Sequence, residues 1–261
     1  MKSIKQKMLL KLGVLIIIIC VGFGSISYII ALNSIQETVD TTLPGIAQQA
    51  ANGVKTEIQS QMNNLESIAI DSKLKDDTLS QNDKLEILRQ YQIKNGYIKI
   101  GLADLKGDIK FTDGVVTNIS DREYFKKAIT GASNVTDPSD GKDTKSMLIM
   151  FAVPFKSNGK IEGVLVGIRN GNALSEFTNK IKIGKTGQAF MINKEGNTIA
   201  NVSKKKVLQK LNEFEIVKKD PSVKDLVEIE KKMVNGESGT GKYFYKSIVK
   251  YVAYSPVKIN G

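Results

Sequence analysis

The strongest constraint in this chain is an uncharged apolar run from Leu12 to Leu32, 21 residues that include Val14-Leu15-Ile16-Ile17-Ile18-Ile19. A helix rises about 1.5 Å per residue and the hydrocarbon core of a bilayer is about 30 Å thick, so the run is just long enough to span. Lipid offers no partner to backbone N–H and C=O groups, so the segment is expected to be helical. A cleaved signal peptide is the competing reading. Its apolar core is usually about 7–15 residues long and precedes a small-residue cleavage site, which is missing here. Lys2, Lys5, Lys7 and Lys11 crowd the N-terminal flank, while Glu37 and Asp40 follow the run. The positive-inside rule then places residues 1–11 in the cytoplasm, a single transmembrane helix at 12–32, and everything after Asn33 outside the cell.

Composition excludes several functions. At 261 residues and 41% hydrophobic, the chain can bury a core of one or two domains. Its net charge of +11 comes from scattered lysines, with no basic stripe interleaved with aromatics, so no nucleic-acid partner is expected. Cys20 is the only cysteine, which rules out an internal disulfide. There is no histidine, so neither a Ser-His-Asp triad nor a Cys/His zinc site can be built. Gly236-Glu237-Ser238-Gly239-Thr240-Gly241-Lys242 has phosphate-loop spacing, but Tyr243 follows where Ser or Thr is needed, and the helix lies before the loop. It reads as a glycine-rich turn into a strand. Asp76-Asp77 and Asp137/Asp140/Asp143 lack the calcium-loop pattern. We expect no enzyme, no cofactor and no metal.

Beyond the span, Val54, Ile58, Met62, Leu65 and Ala69 recur at spacings of three and four, one stripe on a long amphipathic helix over 33–79. Pro44-Gly45 should kink or restart it. A short helix at 84–92 precedes strands at 97–103, 108–112, 145–155 and 160–168, with turns at Lys106-Gly107-Asp108 and Ser157-Asn158-Gly159. Helices are expected at 121–130 and 170–182. A second round follows: strands at 188–193 and 198–201, a helix at 222–234, and strands at 242–245 and 249–254. The fold class is α+β, with two tandem antiparallel-sheet modules, 80–182 and 183–261; one larger mixed sheet is the alternative.

The stretch Asp121-Arg122-Glu123-Tyr124-Phe125-Lys126-Lys127-Ala128 allows two readings. Arg122 can hold a carboxylate or phosphate bidentately while Tyr124 and Phe125 wall a pocket, or the two rings are core and Arg122 is a surface charge or a helix-start partner for Asp121. Asp137 and Asp140 are candidate ligand contacts.

That stretch is followed by Val135-Thr136-Asp137-Pro138, Ala152-Val153-Pro154, Gly163-Val164-Leu165-Val166-Gly167, Ile183 to Ile192 and Tyr251 to Val257. In this order the motifs resemble the double Cache sensor region of bacterial methyl-accepting chemotaxis proteins. The resemblance implies two PAS-like modules on the long helix, the membrane-distal one holding a small-molecule ligand. In amino-acid sensors of this kind an arginine with paired aromatics grips the ligand carboxylate, as Arg122, Tyr124 and Phe125 could. An aspartate later grips the amine, but Ile168 stands at that position, Ser139 and Thr117 replace expected tyrosines, and Arg169 is a candidate second cation. The implied ligand is a carboxylate-bearing small molecule. The resemblance also implies a homodimer, and cytoplasmic signalling partners reached through a second span, a HAMP linker and a signalling region not in this sequence. The sensor portion of a histidine kinase or diguanylate cyclase is the alternative.

Overall fold

One helix organises the chain. The computed structural model describes residues 4–141, 144–245 and 248–259. In it, α1 (Ile4–Ala69) is a single helix of 66 residues. Its first half is apolar and bare: Ile17 is 62% and Phe23 68% exposed. By length and composition it is a candidate membrane span. Its second half buries Val54, Ile58, Met62, Leu65, Ile68 and Ala69, the stripe that the spacing predicts.

The restart allowed for at Pro44-Gly45 does not occur: the helix continues through both residues. Proline removes one N–H from the helical ladder, and a hairpin packed alongside braces α1 on both sides of the gap. Thr240 Oγ1 donates to Asp40 Oδ1 (3.2 Å), and Ser255 Oγ donates to Gln48 Oε1 (2.9 Å). The helix also stops at Ala69, short of residue 79. Asp71 takes over the chain there: one carboxylate oxygen caps a 3₁₀ turn (Ser72–Lys75) and the other accepts from the Tyr91 hydroxyl at 2.6 Å. The next helix, α2 (Gln81–Asn95), is longer than the sequence reading because Ser80 and Asp83 form a capping box before it. Gly96, at φ +68, ends it.

The strands β1 (Lys99–Ala103), β2 (Asp108–Phe111) and β3 (Val116–Asn118) precede α3 (Glu123–Ile129). β4 (Asn134–Val135), β5 (Ser139–Gly141), β6 (Thr144–Ser157) and β7 (Lys160–Asn170) complete one antiparallel sheet in the order β3-β2-β1-β7-β6-β4, with β5 also on β6. The period-two alternation deals its side chains to two cores. Ile100, Phe151, Val153 and Leu165 meet the α1 stripe and Leu88 of α2. Ala103, Ile109, Phe111, Ala152, Val166 and Ile168 meet Phe125 and Ala128 of α3.

After α4 (Asn172–Lys180) the pattern thins. The strand expected at 188–193 is two short pieces, β9 (Gly187–Gln188), paired with β8 (Lys182–Ile183), and β10 (Met191–Ile192), paired with β11 (Thr198–Ala200). A register shift at Met191/Ile192 cuts the second ladder short. Helices α5 (Lys204–Leu208), α6 (Glu213–Ile216) and α7 (Lys224–Val234) follow, then the hairpin β12 (Gly239–Tyr245) and β13 (Ile248–Tyr254). Among the described residues these strands form separate two-stranded ladders. The architecture is α+β with a long apolar helix at its N-terminus.

Two contacts hold the sheet to its helices. Gly167 lets α1 approach: a Cβ there would lie 2.7 Å from the Tyr97 ring and 3.1 Å from Leu65. Arg169 donates through Nη1 to the Asn95 carbonyl (2.8 Å) and to Gln61 Oε1, and its guanidinium sits 5.0 Å from the centre of the Tyr97 ring. We expect Gly167→Val to lower stability by about 1–3 kcal/mol through overpacking. Arg169→Met, which removes both donors, should cost about 1–3 kcal/mol. Urea midpoints of the detergent-solubilised chain, read by tyrosine fluorescence, check both. An unmoved midpoint for Arg169→Met would remove it as a strut.

Candidate functional site

The side of the sheet that carries α3 holds three of the six candidate residues, Arg122, Tyr124 and Phe125. α3 begins where Arg122 leaves the extended region (φ −79, ψ 132). The Arg122 backbone is fully used: its N–H donates to Ile119 O, and its carbonyl accepts from Phe125 and Lys126, each at 3.0 Å. The guanidinium is not. Its side chain is 44% exposed, and among the described residues its one ion-pair contact is at 3.5 Å to the exposed Asp121 carboxylate. An exposed pair of that kind contributes little, so a better-placed anion can displace it.

The two aromatics separate. Phe125 is buried at 4% exposure in the core beneath α3. Tyr124 is half-buried at the edge of that core, and desolvation raises its hydroxyl pKa above the ordinary value, with Arg122 opposing. So one ring belongs to the core and one lies near the Arg122 guanidinium. Asn134 Nδ2 donates to the Tyr124 carbonyl (3.1 Å), which ties α3 to β4.

The sheet supplies the floor. Lys99, Ile168 and Met150 stand opposite one another across β1, β7 and β6. Ile168 is buried among the α3-side residues, so the position where an amine-binding aspartate is expected offers only apolar surface. Lys99 was not singled out by the sequence reading. Its Nζ lies 3.0 Å from Asp113 Oδ2 and 4.6 Å from the centre of the Phe111 ring, and its side chain is only one-fifth exposed. The signal was present: a lysine inside an apolar strand, in step with Gly101 and Ala103, must point into the same core edge as they do.

The remaining candidates lie elsewhere. Arg169 pairs with Ile149 and faces α1, where its donors are already engaged. Asp137 is exposed and accepts from Asn193 Nδ2 (3.0 Å), which links the loop before β5 to the turn after β10. The backbone of Asp140 is in β5; its side chain, like Asp143, falls outside the described residues. A cleft of about 250 Å³ opens on the other side of the sheet, between α2 and the β1–β2 hairpin, and none of these residues lines it. Among the described residues no group of acids, cysteines or histidines could hold a metal ion.

Comparison with known proteins identifies the architecture. The sensory domain of the Campylobacter jejuni chemoreceptor Tlp3 with isoleucine bound superposes with a TM-score of 0.62 at 13% identity, covering 84% of this chain and 88% of that one. The ligand-binding domain of the Pseudomonas aeruginosa chemoreceptor PctC in complex with GABA gives 0.65 at 18%, covering 84% and 93%. That of Pseudomonas fluorescens CtaA in complex with L-isoleucine gives 0.66 at 18%, covering 87% and 89%. At these identities the likeness is one of fold. The Cache domain profile matches residues 31–261, which is nearly all of the chain beyond the apolar run, and the chain therefore belongs to the Cache domain family.

Proposed function

We propose that this chain is the extracytoplasmic sensor of a transmembrane chemoreceptor and that it binds a small carboxylate-bearing ligand at α3. The observation that carries the reading is the half-exposed Arg122 guanidinium, held at the start of α3 with only a solvent-exposed partner. A ligand carboxylate would replace Asp121 and accept two parallel hydrogen bonds. Tyr124 would line the same end.

The far end of the ligand is constrained by Ile168 and Lys99. An α-amino group finds no carboxylate at Ile168. A second anionic or strongly polar group could draw Lys99 from Asp113. This favours a small organic acid, a dicarboxylate above all, over a simple α-amino acid. Residues 80–182 serve as the ligand-binding module and 183–261 as the membrane-proximal one. The lipid-embedded 12–32 segment anchors the chain in the cell membrane with its N-terminus in the cytoplasm. A second copy pairs with it, and cytoplasmic partners read the signal through a part not in this sequence. Binding would bias a two-state equilibrium of α1 relative to the sheet.

Succinate, L-lactate, L-isoleucine and GABA, titrated calorimetrically into the detergent-solubilised chain, test this. Succinate should bind best. Arg122→Ala should weaken it about 10–100-fold, the loss of a charge-assisted pair, and Lys99→Gln should weaken succinate more than lactate. Undiminished affinity in Arg122→Ala, or binding by none of the four, sinks the assignment.

A further inference from the structure

The second half of the chain holds a charge-bearing group that its own fold leaves unpartnered. Glu230 lies within α7 at 2% exposure, and among the described residues its Oε2 has no hydrogen-bond partner. Its helix neighbours Leu226, Val227 and Ile229 are buried too. Buried carboxyl oxygens are normally bonded, and an orphan among aliphatic side chains requires an explanation.

The groups that face it come from three other elements. Glu213 begins α6, Lys206 lies in α5 and Tyr243 in β12, all of them half-buried. β12 lies flush on α7: a Cβ on Gly241 would sit 2.7 Å from Ile229 Cδ1, and Tyr243 shares the Gly241 face. Burial, with the Glu213 charge adding and Lys206 opposing, pushes the Glu230 carboxyl up to about 8. Burial also raises Glu213, and the Tyr243 hydroxyl is raised by burial and then by both acids. Lys206 eases both carboxyls, yet no donor reaches Oε2. The cluster offers acceptors from three side chains and lacks a donor for the deepest of them.

We propose that Glu230, Glu213 and Tyr243 form a second ligand site, for a small protonated amine. The ammonium supplies the missing donor and the counter-charge. A primary ammonium has three N–H groups and no acceptor, so it can bond Oε2 and still donate to other oxygens. The balance is simple: the amine arrives as its cation, Glu230 passes from the neutral acid to the carboxylate, and one proton leaves to solvent. The competing account is that Glu230 is a neutral core residue that binds nothing. The site is distinct from the Arg122 face, and its test does not involve that residue. It also borders the membrane end of α1, because β12 carries Thr240, which donates to Asp40.

The test is calorimetry on the full detergent-solubilised chain with methylammonium and ethanolammonium, and with tetramethylammonium as a cation without donors. The expected result is saturable binding of the first two and none of the third. Titration near neutral pH in buffers of different ionisation enthalpy should show roughly one proton released. Affinity should rise by up to roughly tenfold per pH unit below about 8 and level off above it, because the proton must leave first. Glu230→Gln should lose at least roughly tenfold in affinity together with the proton release, following the linkage. Glu237→Gln, at an exposed carboxyl after α7, should behave as the unaltered chain. Absence of saturable binding by both primary amines overturns the proposal, as does unchanged affinity and proton count in Glu230→Gln. Should that variant not fold, binding by the unaltered chain without proton release is equally decisive against it.

Discussion

The contact between the second half of α1 and the back of the sheet supports the rest of the fold. Val54, Ile58, Met62, Leu65 and Ile68 are nearly inaccessible against Phe151, Val153 and Leu165. Burying such side chains contributes about 1.5–3 kcal/mol each, so this stripe alone is worth more than any polar contact described above. It also fixes geometry. The same helix carries the bare apolar segment, so the sheet is mounted on a rod whose other end matches the thickness of a bilayer. Gly167 marks how close the mounting is, since no side chain fits between β7 and the Tyr97 ring.

One face of the sheet is covered by α1 and α2, and the other is covered by α3. α3 is seven residues long and rests on the sheet through Phe125 and Ala128. Arg122 stands at the start of this short helix, outside the core that Phe125 and Ala128 enter. The same division explains the fate of the two arginines. Ile168 and Arg169 are adjacent in β7 and therefore point to opposite faces. Arg169 falls among the helices, where Asn95, Gln61 and Tyr97 hold it. Arg122 lies outside them and stays available.

Much of this was legible in the sequence where a period ran unbroken. The three-and-four spacing of Val54 to Ala69 named the buried stripe, and Ser157-Asn158-Gly159 named a hairpin whose Asn158 and Gly159 both take positive φ. Failures came where a distant partner overrode a local rule. A restart was one reading of Pro44-Gly45, but α1 runs through it, with Thr240 and Ser255, about two hundred residues away in sequence, bonded on either side. The helix end at Ala69 depended on Tyr91 reaching Asp71. Alternation could separate residue 168 from 169 but not say which face α1 would claim, so Arg169 and Arg122 looked alike. Glu230 was legible by the helical period: it stands four residues from Leu226 and three from Val227, on the apolar face of α7, while Glu228 falls on the opposite face.

The bracing of Pro44 bears on how a change in the packing of the sheet and hairpin could reach the apolar segment of α1. α1 is gripped at two heights: by the sheet along 54–69, and by the β12–β13 hairpin at Asp40 and Gln48. Between span and sheet, the turn around Pro44 lacks one ladder bond and is the weakest in the rod. The hairpin straddles that turn with two side-chain hydrogen bonds, both between exposed groups and each worth about 0.5–1.5 kcal/mol. A displacement of the hairpin relative to the sheet therefore concentrates its strain at Pro44 and not along the stripe, where several large side chains resist it. The hairpin in turn rests on α7 through Gly241 and Ile229. Any change in how α7 packs is thus one contact from the point where α1 yields most easily, about 12–18 Å along the axis from the last residue of the apolar run.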